Sequence, residues 1–424
     1  MKGLPVREIW RTPAGRGFVL LAIMSAAFGF ASNAQSSIVT NYLDEVLHLS
    51  GPQFGYWTAI RELGGFILIF LTAIFYRVSL QKLTAGALVV LALSQGLFTV
   101  ANGFWTVLPW TLMGSLGLHM VVQTQISLGM SLTTENKSGA VLGRVAAMGQ
   151  IGTFVALLII FLLFQFELVS YRTTFMVLAA VALLGAIAIL PFPHLQDGQL
   201  RKVAPKREPL VFRRDYRHYY WLVFLDGARQ QVFFSFGLWV LVNNFGLGVA
   251  HISLVMIAVT FGCMITVSRL GRLIDRYGER RFLSVVNLAY IVALAGYALA
   301  PNVVLACFFY FLYAIIAPLS YIGASTYLRK IAAPADLAPS LSMGLTMQHV
   351  AAIVVPVMAG FVLNFVGYQV PFFGACGVAI ITFFVTLRLD PDKQRCAARV
   401  AADAGIPKEA AIITDQVAAV RGLD

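Results

Sequence analysis

Long apolar runs alternating with short polar stretches are the dominant pattern of this chain. Windows of about 20 residues with few charges recur along it, and each is long enough to cross the hydrocarbon core of a bilayer as a helix. The pattern therefore predicts an all-α polytopic membrane protein with twelve transmembrane helices. The predicted helices lie near residues 17–40, 53–76, 83–101, 105–130, 143–165, 171–192, 218–243, 252–270, 282–300, 303–326, 339–364 and 370–389.

A polar, basic stretch at residues 194–217 separates the sixth apolar run from the seventh. At an offset of about 198 or 199 residues the runs before it superpose on those after it, which predicts two six-helix halves. This offset places Arg77 against Arg276 and Gln150 against Gln348. The predicted divisions are an N-terminus at 1–16, a first half at 17–193, a linker at 194–217, a second half at 218–389 and a tail at 390–424.

Composition and charge placement support a membrane protein. Of 424 residues, 59% are hydrophobic and only 12% are charged, and the mean hydropathy is +0.80, values that exclude a soluble globular domain. The net charge of +12 does not indicate nucleic acid, because all but three of the 31 Lys and Arg fall on one predicted side (the exceptions are Arg61, Arg172 and Arg229). That side is predicted to be cytoplasmic, with both termini, in a multi-pass protein of the inner (cytoplasmic) membrane.

The basic N-terminus followed by an apolar run is similar to a signal peptide. We expect it to be retained as the first helix, because its removal would leave an odd number of spans and spoil the repeat.

Catalytic and cofactor motifs are absent from the sequence. It has no Walker-type glycine loop, no zinc-ligand spacing, no nucleophile elbow and no paired cysteines. We therefore expect neither an enzyme nor a cofactor or metal site, and no obligatory protein partner is evident.

The stretch GRLIDRYGERR, residues 271–281, is dense in charge between two apolar runs. It resembles the loop signature of the major facilitator superfamily, and the matching positions are Gly271, Leu273, Asp275, Arg276, Gly278, Arg280 and Arg281. The resemblance implies a gating latch on the cytoplasmic side that is broken and remade as access alternates, formed by Gly271, Asp275, Arg276, Gly278 and Arg280. The alternative, a solvated basic turn, needs only the arginines. The first-half counterpart, TAIFYRVSLQKL, lacks the acid and the glycines, so the second-half latch is predicted to dominate.

Over residues 17–389 the resemblance also implies a parallel repeat of two six-helix halves. The expected substrate site lies between the halves near the midplane and is lined by helices 1, 2, 4, 7, 10 and 11. The implied mechanism is rocker-switch alternating access.

Ionisable residues inside the predicted spans are candidates for function, because a charge in the bilayer is costly. Arg61 and Glu62 lie in helix 2, while Asp226 and Arg229 are three residues apart in helix 7 and share a face. In one interpretation these charges pair internally and hold helices together. In the other, Arg61 or Arg229 binds an anionic group of the substrate, and Glu62 or Asp226 loads and releases a proton.

Polar residues extend the candidate site. His119 and Gln123 lie on one stripe of helix 4, Gln230 shares a face with Asp226, and Gln348 and His349 lie in helix 11. Hydrogen bonding between helices is the alternative role for such residues. The substrate-binding candidates are thus Arg61, His119, Gln123, Arg229, Gln230, Gln348 and His349, and the proton-coupling candidates are Glu62 and Asp226.

The function favoured by these residues is proton-coupled transport of a small anionic or zwitterionic solute, with the bilayer, the solute and protons as partners. Uptake by symport is preferred, since helix 5 lacks the proline of the typical drug-exporter signature. One alternative is proton-coupled export of an amphipathic or metal-chelating compound. Another is a non-transporting assembly or sensing factor, which activity surviving Glu62→Gln with Asp226→Asn would favour.

Overall fold

The computed structural model describes residues 12–75, 77–133, 138–193 and 212–395. These stretches contain helices and connecting turns and no β-strand, which confirms the predicted all-α fold. The first eleven residues, linker residues 194–211 and the tail beyond residue 395 lie outside the described part of the chain.

Twelve long helices follow one another in the described chain once Val249–Ala298 is divided at Gly278, where φ is 76°. Ten of them are long and apolar enough to cross a membrane. The other two, α2 and α7, contain 24 and 27 residues, and they carry the charged candidates Arg61 and Glu62 and Asp226 and Arg229, respectively. The helices are α1 Pro13–Val46, α2 Gly51–Ile74, α3 Leu80–Phe98, α4 Phe104–Ser131, α5 Ser138–Gln165, α6 Tyr171–Ile189, α7 Arg217–Asn243, α8 249–277, α9 279–298, α10 Val303–Ile331, α11 Pro334–Val366 and α12 Gln369–Leu387.

Local sequence sets where several helices begin. Thr12 caps α1 by accepting from the Gly15 amide at 3.1 Å, and Pro13 follows at the first helical position. Asn302 caps α10 through the Leu305 amide at 3.0 Å. Each cap satisfies a backbone donor that the first turn of a helix leaves without a partner.

Helix α1 is interrupted by two π-helical stretches, Gly29–Asn33 and Tyr42–Val46. Side chains from other helices bind carbonyl groups in the first of these. The Thr153 hydroxyl donates to Gly29 O at 3.1 Å, and the buried Gln95 amide donates to Ala31 O at 2.8 Å. The π-helical geometry is thus supported by polar contacts from α5 and α3.

The chain divides into two compact units. The first contains the residues up to Ala204 together with Ser235–Thr260 and Pro356–Asn364, and the second contains Pro205–Phe234, Phe261–Val355 and Phe365–Asp424. The division therefore crosses α7, α8 and α11, and one end of each belongs with the first six helices.

Within the first unit, the end of α7 packs against the start of α2. The Phe54 ring lies 5.6 Å from the Phe236 ring and 5.7 Å from the Trp239 ring, measured between centroids. Beside them the Asn243 amide donates to the Asp44 carboxylate at 2.6 Å. Aromatic packing and a hydrogen bond thus connect the end of α7 with α2 and α1.

Candidate functional site

The centre of the candidate site in the second unit is an ion pair within α7. Asp226 and Arg229 are one helical turn apart, and the Arg229 Nη2 donates to Asp226 Oδ1. Arg229 is fully buried, with 0% of its surface exposed, and Asp226 is 5% exposed. A charge in such surroundings is stable only when it is paired and hydrogen-bonded.

Two further helices complete the surroundings of the Arg229 guanidinium. Its Nη1 donates to Asn287 Oδ1 of α9 at 3.1 Å, and its Nη2 lies 3.4 Å from Ser320 Oγ of α10. The Tyr290 ring lies under the guanidinium, 3.4 Å from its Cζ to the ring centroid, in a cation–π contact. The Tyr290 hydroxyl is itself fixed by donating to Ile316 O at 2.9 Å.

The Gln230 side chain hydrogen-bonds the other carboxylate oxygen of Asp226. Its Nε2 donates to Asp226 Oδ2 at 2.9 Å and lies 3.4 Å from Ala317 O. Both carboxylate oxygens are therefore engaged by donors of α7 itself. Because Gln230 binds the Asp226 carboxylate in this structure, a substrate would have to displace Gln230 or bind beside it.

A small cavity borders the ion pair within the second unit. Its free space of about 10 Å³ is enough for roughly one water molecule. In this conformation the cavity is thus too small for a solute. It is lined by Leu222, Val223, Asp226, Leu283, Asn287, Ser320, Tyr321, Ala324, Gln348 and Thr382.

The two candidates of α11 lie next to each other in different surroundings. Gln348 lines the cavity and packs on Gly227, where a Cβ would lie 3.2 Å from Gln348 Cα. His349 is half-buried and does not line the cavity. Of the sequence candidates, the second unit thus brings together Asp226, Arg229, Gln230 and Gln348.

A second polar cluster lies in the first unit. Arg61 Nη2 pairs with Glu62 Oε1 at 3.1 Å, and the Arg61 Cζ lies 5.2 Å from the centre of the Trp57 ring. The Arg61 side chain is 37% exposed and that of Glu62 is 19% exposed, so this pair is much less buried than the one in α7.

Ser115 connects helix α4 to this cluster. Its hydroxyl donates to the Arg61 carbonyl, and the His119 ring Nδ1 lies 2.9 Å from the Ser115 carbonyl. Gln123 lies one turn further along α4 and is exposed. The structure therefore brings His119 near the Arg61 backbone and leaves Gln123 outside the cluster.

The turn between α8 and α9 contains the predicted latch. Gly278 has the positive φ that forms the turn, and Arg276 and Arg280 are exposed. The Arg276 Cζ lies 5.4 Å from the centre of the Tyr277 ring. The surroundings of Gly271 and of the Asp275 side chain lie outside what the structure describes.

Glu279, a buried acid of this turn, was not among the residues predicted from the sequence. Glu279 is 2% exposed, and its carboxylate pairs with Lys330 Nζ at the end of α10 at 2.8 Å. The sequence did contain a signal for this pair, because Glu279 and Lys330 are opposite charges at two helix ends on the same predicted side of the membrane. Asn287, Tyr290 and Ser320 were also missed, although an Asn within an apolar run is itself a signal for an interhelical contact.

Lys330→Met is expected to lower the free energy of unfolding by about 1–3 kcal/mol, because it leaves the Glu279 carboxylate buried without its cation. Chemical denaturation of the purified protein measures this change. The matched control is Lys393→Met, whose lysine is 85% exposed and lies 3.5 Å from Asp390, and it should change the free energy by less than about 0.5 kcal/mol. Equal effects of the two substitutions would show that the Glu279 pair is not a buried connection.

Among the described residues, no group of three or more His, Cys, Asp or Glu side chains is arranged to hold a metal ion.

Comparisons with known proteins support a transporter fold. Residues 219–418 match the family model of the Major Facilitator Superfamily. The solved structure of the nucleoside transporter NupG aligns with 88% of this chain and 100% of its own, with a TM-score of 0.74 and 16% identity. A bacterial homolog of the human lysosomal transporter Spinster, in an inward-facing and occupied conformation, aligns with 89% of this chain and 97% of its own, with a TM-score of 0.70 and 14% identity.

The comparison with curated proteins found no match. At these identities the structural similarity establishes the fold, and the family model adds a sequence match in the second half. Together with the apolar helices, these findings describe a multi-pass membrane protein with a transporter fold. Residues 219–418 of this chain thus match the major facilitator superfamily, without an assigned subfamily, and the fold of the chain is that of transporter structures.

Proposed function

We propose that the protein couples the movement of a small anionic or zwitterionic solute to that of a proton by alternating access. The observation that carries this proposal is the Arg229 guanidinium, fully buried and paired with Asp226. The proposal follows from the charge balance of this pair.

A proton alone is a poor ligand for the paired state of Asp226. Its binding to the carboxylate would leave the Arg229 charge buried without an anion, and breaking a buried pair in this way costs about 3–5 kcal/mol. Arg229 therefore opposes proton loading as long as no other anion is present.

An anionic group of a solute would remove the energetic cost of protonating Asp226 beside Arg229. A carboxylate or phosphate that accepts from the Arg229 Nη groups would replace Asp226 as the counter-charge, and Asp226 would then hold the proton as a neutral acid. The total charge around Arg229 is the same before and after the exchange. Proton and anion thus bind more tightly together than either does alone, which is the requirement for symport.

The remaining candidates receive supporting roles in this proposal. Gln230 hydrogen-bonds Asp226, and Gln348 lines the cavity. Both side chains would hydrogen-bond the solute when movement of the helices enlarges the cavity. His349 would bind the solute from the next position of α11. In the first unit, Glu62 would carry a second proton. Arg61, His119 and Gln123 are the candidates of this unit for binding a polar or anionic group of a solute.

The Gly278 turn, with Arg276, Arg280, Gly271 and Asp275, would act as the gating latch at the cytoplasmic side of the inner membrane. The buried Glu279–Lys330 pair supports this role, because it joins the turn to the end of α10.

Ligand-induced thermal stabilisation of the purified protein tests the proposal. The panel contains carboxylates, phosphates, amino acids and neutral sugars at about pH 5.5 and 7.5. An anionic or zwitterionic solute should stabilise the wild type more at the lower pH, because Asp226 must take up a proton. In Asp226→Asn the stabilisation should persist without pH dependence, since Asn cannot exchange a proton. Stabilisation by neutral solutes alone, equal at both pH values, would contradict the proposal.

Two alternative functions make different predictions. An exporter would move protons opposite to the solute, so the sign of the proton movement separates it from a symporter. A non-transporting assembly or sensing factor needs no proton-binding carboxylate, and it would keep its activity in Glu62→Gln combined with Asp226→Asn.

A further inference from the structure

A basic cluster lies where the start of α7 meets the end of α12. His218 lies within electrostatic range of both Arg217 and Arg388. Both arginines are exposed, and neither forms an ion pair with a described carboxylate. The adjacent acid, Asp390, has Lys393 as its partner at 3.5 Å between Oδ2 and Nζ. Two exposed arginines and the partly buried His218 thus lie at these helix ends, and none of the three is ion-paired with a carboxylate of the described residues.

Each arginine lies one turn beyond an exposed aromatic side chain of its own helix. Trp221 follows Arg217 by four residues and is 56% exposed, and Phe384 precedes Arg388 by four residues and is 59% exposed. Residues four apart in a helix share a face, so each helix presents an arginine above an aromatic ring. In a membrane-spanning helix, exposed aromatic side chains near the end lie at the interface between headgroups and acyl chains.

We infer that this cluster, formed by Arg217, His218 and Arg388 with Trp221 and Phe384, binds the headgroup of an anionic phospholipid. The two guanidinia would donate to the phosphate oxygens, a geometry for which arginine is well suited. The aromatic rings would contact the first part of the acyl chains. The occupant is a lipid and not a free anion, because both aromatic side chains lie on the membrane side of the arginines.

The site is independent of the proposed transport function, since its residues are separate from the Asp226–Arg229 pair and the cavity beside it. It requires only that α7 and α12 span the bilayer. The charge of each arginine near a membrane surface is worth about 1 kcal/mol toward an anionic lipid, so removal of both is expected to weaken binding roughly thirtyfold.

The test is a titration of the detergent-solubilised full chain, followed by native mass spectrometry. Separate arms use phosphatidylglycerol, phosphatidylcholine and inorganic phosphate. The wild type should bind phosphatidylglycerol most tightly, and Arg217→Gln with Arg388→Gln should lose roughly thirtyfold in affinity. The matched control is Arg144→Gln with Arg269→Gln, which removes two exposed arginines elsewhere and should keep the wild-type affinity.

Three results would overturn the inference. The first is wild-type affinity for phosphatidylglycerol in the Arg217 and Arg388 double variant. The second is equal binding of phosphatidylcholine, which would indicate a site for acyl chains alone. The third is equal binding of inorganic phosphate, which would indicate a site for a free anion.

Discussion

Asp226→Asn is expected to lower the free energy of unfolding by about 3–5 kcal/mol and to abolish coupled transport. The Arg229 guanidinium is fully buried, and the substitution removes its counter-charge while leaving the cation in place. Coupling fails because the asparagine side chain can neither release nor take up a proton. Denaturant titration in detergent measures the stability, and solute uptake into proteoliposomes measures the transport.

A double substitution that removes the charges of both Asp226 and Arg229 distinguishes the effect on stability from the effect on transport. Asp226→Leu with Arg229→Met should recover most of the lost stability, because apolar side chains of similar volume replace the pair, while transport stays absent. Asp392→Asn is the matched control, since Asp392 also pairs with an arginine three residues away but is 88% exposed. A stability loss of the same size in the control, or full transport in the double variant, would contradict the assignment.

Gly152→Ala is expected to destabilise the protein by about 3 kcal/mol or more, because α1 and α5 approach each other through backbone at this point. A Cβ at Gly152 would overlap the Ala26 carbonyl, and one at Gly29 would overlap the Gly149 carbonyl. Neither obstacle is a side chain that could rotate away, so the helices would have to separate. The polar contacts of Thr153 with Gly29 and Asn33 would be strained at the same time.

Gly143→Ala is the control for this substitution. It lies in the same helix, it is exposed, and nothing lies within 4 Å of the position of its Cβ. Its stability should be unchanged or higher by up to about 1 kcal/mol, because Ala favours the helix. A melting temperature for Gly152→Ala equal to that of Gly143→Ala would show that the close approach of α1 and α5 does not limit stability.

The fold could be predicted from the sequence because apolar length alone determines where helices cross a bilayer. The signature at residues 271–281 likewise indicated the superfamily whose model matches residues 219–418, since its glycines, acid and arginines lie at fixed spacing. The π-helical stretches of α1 gave no such signal, because they depend on Gln95 and Thr153 reaching backbone carbonyls from other helices.

The candidate site was predictable only in part. The spacing of Asp226 and Arg229 placed both on one face of α7, but both an internal pair and a substrate-facing pair were consistent with that spacing. The contacts with Asn287, Tyr290 and Ser320 come from helices distant in sequence, so no local pattern could identify these residues as partners of Arg229. Glu279 was overlooked for the same reason, because its partner Lys330 lies at the end of another helix.

The most direct test of the central claim is the proton movement that accompanies solute uptake. Proteoliposomes containing the full-length protein and a pH-sensitive dye would receive, from outside, the anionic or zwitterionic solute that best stabilises the protein. The account predicts that the lumen of wild-type vesicles acidifies as solute enters, and that neither change occurs with Asp226→Asn. Solute entry without a pH change, or the same acidification in Asp226→Asn vesicles, would contradict proton coupling through the buried pair of α7.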